Sequence, residues 1–90
     1  MPAALDDRRK KLHFRAWRRG FREIDLILGR FADAHLAGLD EAALDEFEAL
    51  LGVPDQIAYA WILGQEAPAA AHDTATLARI RRFHQIENDL

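Results

Sequence analysis

Ninety residues make one small domain, a size at which folding removes roughly 60 to 65% of the unfolded chain's surface from water. Half of the residues are apolar and 30% are charged, the balance of a packed domain rather than of a disordered tail. The formal charge is −3, and the chain has neither Cys nor Ser, which excludes serine and cysteine nucleophiles, disulfides and thiolate metal sites. Ala and Leu abound while the strand-favouring residues are scarce, with a single valine, Val53, and two threonines, Thr74 and Thr76. A single all-α domain over residues 1–90, a compact bundle of five helices, is expected.

The first helix is expected from Asp6 or Asp7 to Arg18, with acids at its positive end and Arg18 and Arg19 at its negative end, as the helix dipole prefers. Its apolar face is thin: Leu12, Phe14 and Trp17. Gly20 interrupts the pattern and is expected to turn left-handed. Phe21, Ile24, Ile27, Leu28, Phe31 and His35 then recur at spacings of three and four, the stripe of a second helix. Asp40 is placed to cap a third helix, with Leu39 reaching Leu44 as a hydrophobic staple and Leu44, Phe47, Leu50 and Leu51 facing inward. Gly52 is read as a left-handed stop, and Pro54 as the first residue of a short fourth helix that ends near Gly64. Ile57, Ala58, Trp61 and Ile62 form that helix's apolar stripe. Residues 65–71 read as a connector. Asp73 or Thr74 caps the fifth helix, which carries Leu77, Ile80, Phe83 or His84, and Glu87 along one stripe. Residues 1–6 and 88–90 are expected to fray.

Charge is segregated along this chain. Residues 1–30 hold nine Lys or Arg against four acids, whereas residues 31–75 hold nine acids and no Lys or Arg. Such a gradient points to a charged partner. Catalytic groups do not assemble as readily. His13, His35, His72 and His84 fall on four separate segments without metal-ligand spacing, and His35 and His84 read as core-edge residues while His13 and His72 read as solvated. Asp40 and Glu41, and likewise Asp45, Glu46 and Glu48, sit on faces turned outward by Leu44, Phe47 and Leu51, as a solvated surface would. The five glycines are single, so no phosphate-cradling loop is present. No catalytic residue and no metal ligand is assigned.

One constellation is dense: Arg18-Arg19-Gly20-Phe21-Arg22-Glu23-Ile24-Asp25 at the first interhelical turn. Gly20 bares the backbone to a partner's main chain, and Arg19 and Glu23 bracket it with opposite charges that suit a protein surface carrying both. The same spacing equally allows Arg19 and Glu23 to pair with each other, leaving Gly20 a simple helix stop. A competing class is a small nucleic-acid or regulatory module that would use Arg8, Arg9, Lys10, Lys11, Arg15 and Arg18 as a phosphate track. An isoelectric point near 5.7 and the acidic middle oppose it. Membrane contact is equally disfavoured, because Leu12, Phe14 and Trp17 are too few for anchoring and no run approaches the ~18 apolar residues of a membrane span. The opening stretch MPAALDDRRKK lacks a hydrophobic signal segment, so a cytoplasmic location is expected; a processed organellar form would read the same.

The run Phe14-Arg-Ala-Trp-Arg-Arg-Gly-Phe-Arg-Glu-Ile-Asp25, with Leu28-Gly-Arg-Phe31, Phe47-Glu-Ala-Leu-Leu51, Pro54-Asp55 and Trp61, resembles the SdhE family over about residues 8–86. Its signature, Arg-Gly-x-x-Glu, matches Arg19-Gly20-Phe21-Arg22-Glu23. The resemblance implies a five-helix assembly factor, not an enzyme, that binds the flavoprotein subunit of succinate dehydrogenase and promotes covalent attachment of its FAD. In some members fumarate reductase is also a client. It further implies that FAD belongs to the client; no cofactor is assigned to this chain, which is expected to be a monomer when free. By the same carry-over Arg19, Gly20 and Glu23 lie at the client interface, with Arg18, Arg22, Asp25 and Trp17 on the surrounding contact surface.

Overall fold

Ala- and Leu-rich segments with apolar residues three and four apart can bury a stripe only against other helices, and the computed structural model, which describes residues 5–88, is built that way. Five α-helices follow one another: α1 (Asp7–Ala16), α2 (Arg22–His35), α3 (Glu41–Leu51), α4 (Asp55–Ile62) and α5 (Ala75–Asn88). Short 3₁₀ turns, Leu36–Gly38 and Ala70–His72, link α2 to α3 and lead into α5. The second turn lies partly within the stretch expected to be a plain connector. Expected fraying at 1–4 and 89–90 falls outside the described residues.

α2 is the central helix. Ile24, Leu28 and Phe31 are fully buried, and Phe31 meets Phe47 of α3 and Phe83 of α5 at ring-centroid distances of 5.8 and 5.7 Å. Each such side chain contributes roughly 1.5 to 3 kcal/mol by leaving water. Leu77 and Ile80 bring α5 onto the same core. The caps are largely as the residues dictate: Asp40 accepts from the Ala43 backbone N–H at 2.8 Å, and Thr74 Oγ1 accepts from that of Leu77 at 3.1 Å.

Several expectations are corrected. α1 ends at Ala16, two residues before Arg18, and its buried residues are Leu12 and Ala16, while Phe14 is 57% exposed. Ile57 is 42% exposed, so the buried stripe of α4 is Ala58, Trp61 and Ile62. Pro54 precedes α4 rather than opening it. Gly52 closes α3 with φ of −83°, an ordinary right-handed value, and the left-handed glycine is instead Gly64, φ 76°, after α4. His13 and His72 are half-buried rather than solvated: His13 Nε2 lies 2.5 Å from Asp33 Oδ1, and His72 rests on the Trp61 ring. His35 is wedged between Phe31 and Phe83.

The cations of α1 divide by face. Arg8 reaches across to α3, contacting Glu41, Asp45 and Glu48 at 3.2, 2.6 and 3.0 Å, and Asp45 and Glu48 hold its guanidinium still more firmly protonated. Arg9 donates to the Leu36 carbonyl at 3.1 Å and to that of Leu39, and it pairs with Asp6 at 2.6 Å. The Arg9 backbone N–H is also the main reason the Asp6 carboxyl lies below its ordinary range. Lys10, Lys11 and Arg15 stay outward beside exposed Phe14. The acids of α3 are therefore partly ion-pair partners, and the phosphate track imagined along α1 loses its first two arginines.

Gly29 lies buried in mid-helix, where glycine is ordinarily unfavourable by about 0.5 to 1 kcal/mol. The Trp17 ring occupies the place its Cβ would take. Trp17 Nε1 donates to Asp33 Oδ1 at 3.1 Å, one turn further along α2, fixing the ring over the glycine. Gly29→Ala is expected to lower unfolding stability by about 1 to 3 kcal/mol through overpacking, read from a urea midpoint. A variant as stable as the parent would show that the ring yields freely.

Candidate functional site

The turn joining α1 to α2, residues 17–21, forms a corner whose shape is set from a distance. Asp55, the first residue of α4, stands against it. Its Oδ1 accepts from Arg19 Nε at 2.8 Å and lies 2.7 Å from Arg19 Nη2, while its Oδ2 accepts from the Gly20 backbone N–H at 2.5 Å. Arg19 Nη2 also reaches the Val53 carbonyl at 3.4 Å. From the other side, Asp25 Oδ1 accepts from the Arg19 backbone N–H. Two carboxylates thus hold the Arg19 and Gly20 backbone N–H groups and the Arg19 guanidinium of the turn.

This geometry resolves the choice left open by spacing. Arg19 pairs with Asp55, not with Glu23, and its side chain is only 11% exposed. Gly20 is needed for a reason other than handedness, since its φ is not positive; a Cβ there would sit 2.6 Å from Asp55 Oδ2. The bare backbone is the space in which the Asp55 carboxylate docks.

The seven residues singled out from the sequence divide into two groups. Arg19, Asp25 and Trp17 face the protein, building the turn and packing it on α2. Gly20, Arg22 and Glu23 are exposed beside one another, and exposed Arg18 stacks on Phe14 with its guanidinium carbon 3.8 Å from the ring centroid. Behind Gly20, Phe21 tucks its ring edge-on to Tyr59 of α4, centroids 5.0 Å apart, which fixes the entry to α2. Spacing alone did not select Asp55; its signal in the sequence was its place in the Pro54-Asp55 pair of the resemblance. Among the described residues no three His, Asp or Glu side chains converge as metal ligands, and no helix is long and apolar enough to cross a membrane.

Comparison with known proteins identifies the family. A family described as flavinator of succinate dehydrogenase matches residues 10–84, a span that contains the corner and Asp55. The chain is similar to the FAD assembly factor SdhE of Coxiella burnetii, 30% identical over 74 residues that cover 82% of this chain and 89% of that protein. It is also similar to the mitochondrial succinate dehydrogenase assembly factor 2 of Dictyostelium discoideum, 33% identical over 85 residues, covering 94% of this chain and 59% of that protein. The corresponding factor of Debaryomyces hansenii is 40% identical over 58 residues, 64% of this chain and 41% of the relative. The chain thus spans about two to three fifths of the mitochondrial relatives. A family match over residues 10–84 of ninety places this chain in the flavinator of succinate dehydrogenase family, the one its Arg19-Gly20-x-x-Glu23 turn resembles.

Proposed function

We propose that this chain is a non-catalytic, monomeric assembly factor that binds the flavoprotein subunit of succinate dehydrogenase and promotes covalent attachment of that subunit's FAD. Fumarate reductase is a second client in this reading, and the site of action is the cytoplasm, in line with the match to 89% of a bacterial relative. The observation that carries the proposal is the family match through the whole corner, in which the backbone of Gly20 and the carboxylate of Glu23 face outward on a turn fixed by Asp55. FAD is the client's group, and no residue here is assigned to it.

The mechanism is differential binding. A factor that prefers the client conformation with flavin and acceptor side chain aligned enriches that conformation by its affinity ratio, about 1.4 kcal/mol for each tenfold. A turn already tied to α4 through Asp55 loses little freedom on docking, which favours affinity. Gly20 and Glu23, with Arg22 and Arg18 beside them, form the contact surface, and Arg19, Asp25 and Trp17 position it.

The Glu23 side chain makes no ion pair or hydrogen bond among the described residues, so Glu23→Ala is expected to change stability by less than about 0.5 kcal/mol. Affinity for the purified apo flavoprotein subunit should fall at least about tenfold, and client flavinylation, read as in-gel flavin fluorescence, should fall with it. Full flavinylation with this variant would remove Glu23 from the contact. Full flavinylation in cells that lack the gene would remove the proposed function itself.

A further inference from the structure

Beside the corner, α2, α4 and α5 enclose a groove of about 340 Å³, at the small end of ligand-sized sites. Its apolar lining includes Ile27, Tyr59, Leu63 and Phe83. Its charged lining is Glu23 and Arg30 from α2 and Glu87 from α5, all three exposed, and the half-buried His84 of α5 lines it beside them. Among the described residues none of the three has an ion-pair partner. The fold gives Glu87 no reward: it lies in the last turn of α5, where the helix's partial negative charge disfavours a carboxylate. By contrast Arg8, Arg9 and Arg19 are all engaged within the chain. The groove therefore keeps two carboxylates against one guanidinium around an apolar pit, with the His84 imidazole at its wall.

We infer that this groove receives a segment of the client flavoprotein presenting an apolar side chain next to a Lys or Arg. The apolar side chain fills the pit between Tyr59, Leu63 and Phe83, and the cation meets the carboxylates of Glu23 and Glu87. Two observations select this occupant. The excess of acid calls for a cation, and Glu23 belongs to both the groove and the corner, so a partner on the corner runs into the groove without leaving the protein surface. The inference rests on the client reading above and adds the chemistry of what the client must present.

The test uses Glu87→Lys, a surface change remote in sequence from the corner, and Leu63→Trp, which fills the pit. Affinity for the purified apo flavoprotein subunit is measured by calorimetry beside the parent chain and Gly20→Arg. Both groove variants are expected to bind at least tenfold more weakly, with the deficit of Glu87→Lys larger at low than at high salt. Leu63→Trp counts only if its thermal midpoint matches the parent's; Glu87→Lys decides alone otherwise. If Gly20→Arg loses affinity while Glu87→Lys binds as the parent does, the groove assignment is overturned and the client reading stands. If the parent chain itself does not bind the flavoprotein, both fall.

Discussion

Asp55→Ala is expected to lower the unfolding free energy by about 2 to 4 kcal/mol, a large part of the roughly 5 to 15 available to a domain of this kind. The carboxylate holds Arg19 and the Gly20 N–H together, and the side chains of the pair are only 11% and 24% exposed. Removing one partner of a fully buried pair costs about 3 to 5 kcal/mol, because the other charge stays behind without compensation; partial exposure here reduces that figure. Loss of the Gly20 bond removes a second tie between the turn and α4. Urea denaturation gives the measurement. Adding Arg19→Met to Asp55→Ala should cost less than the sum of the single changes, by about 0.5 to 3 kcal/mol, because no stranded cation remains. A single-variant loss under about 0.5 kcal/mol would mean that the turn holds its shape without α4.

Gly20→Arg is expected to leave helical circular dichroism intact and to abolish client flavinylation. The new Cβ lands 2.6 Å from Asp55 Oδ2, so the carboxylate must swing away and release the Gly20 N–H. The rest of the new side chain then stands on the exposed face of the corner, between a client backbone and the place it would occupy. Gly20→Ala separates the two effects. It displaces Asp55 in the same way but adds only a methyl group outside, so it should share the stability loss while retaining part of the flavinylation. Normal flavinylation by Gly20→Arg would show that the client docks elsewhere.

Much of the helical frame was legible because periodicity and caps are local signals. The α2 stripe of Ile24, Ile27, Leu28 and Phe31 is buried as its spacing demands, and Asp40 caps α3. What escaped were relations between segments. Nothing near Gly20 reveals that a carboxylate thirty-five positions later will occupy the vacant Cβ space, so its glycine was ascribed to handedness. Gly29 reads by spacing as an ordinary helix residue, and only the folded chain sets the Trp17 ring on top of it. Ile57 fits a helical stripe yet faces water, and Phe14, two residues from buried Leu12 and so on the opposite side of α1, is exposed as well. The Arg-Gly-x-x-Glu stretch located the corner, but spacing did not distinguish Arg19, which builds it, from Glu23, which it presents.

The division of cations along α1 has a kinetic consequence. With Arg8 and Arg9 locked into the bundle, the exposed positive charges left on that helix, Lys10, Lys11 and Arg15, gather around Phe14. A one-sided field of that kind orients an approaching acidic surface during diffusional capture and acts on how often partners meet rather than on how long they stay together. Ionic strength would then govern the association rate of this protein far more than the lifetime of its complexes.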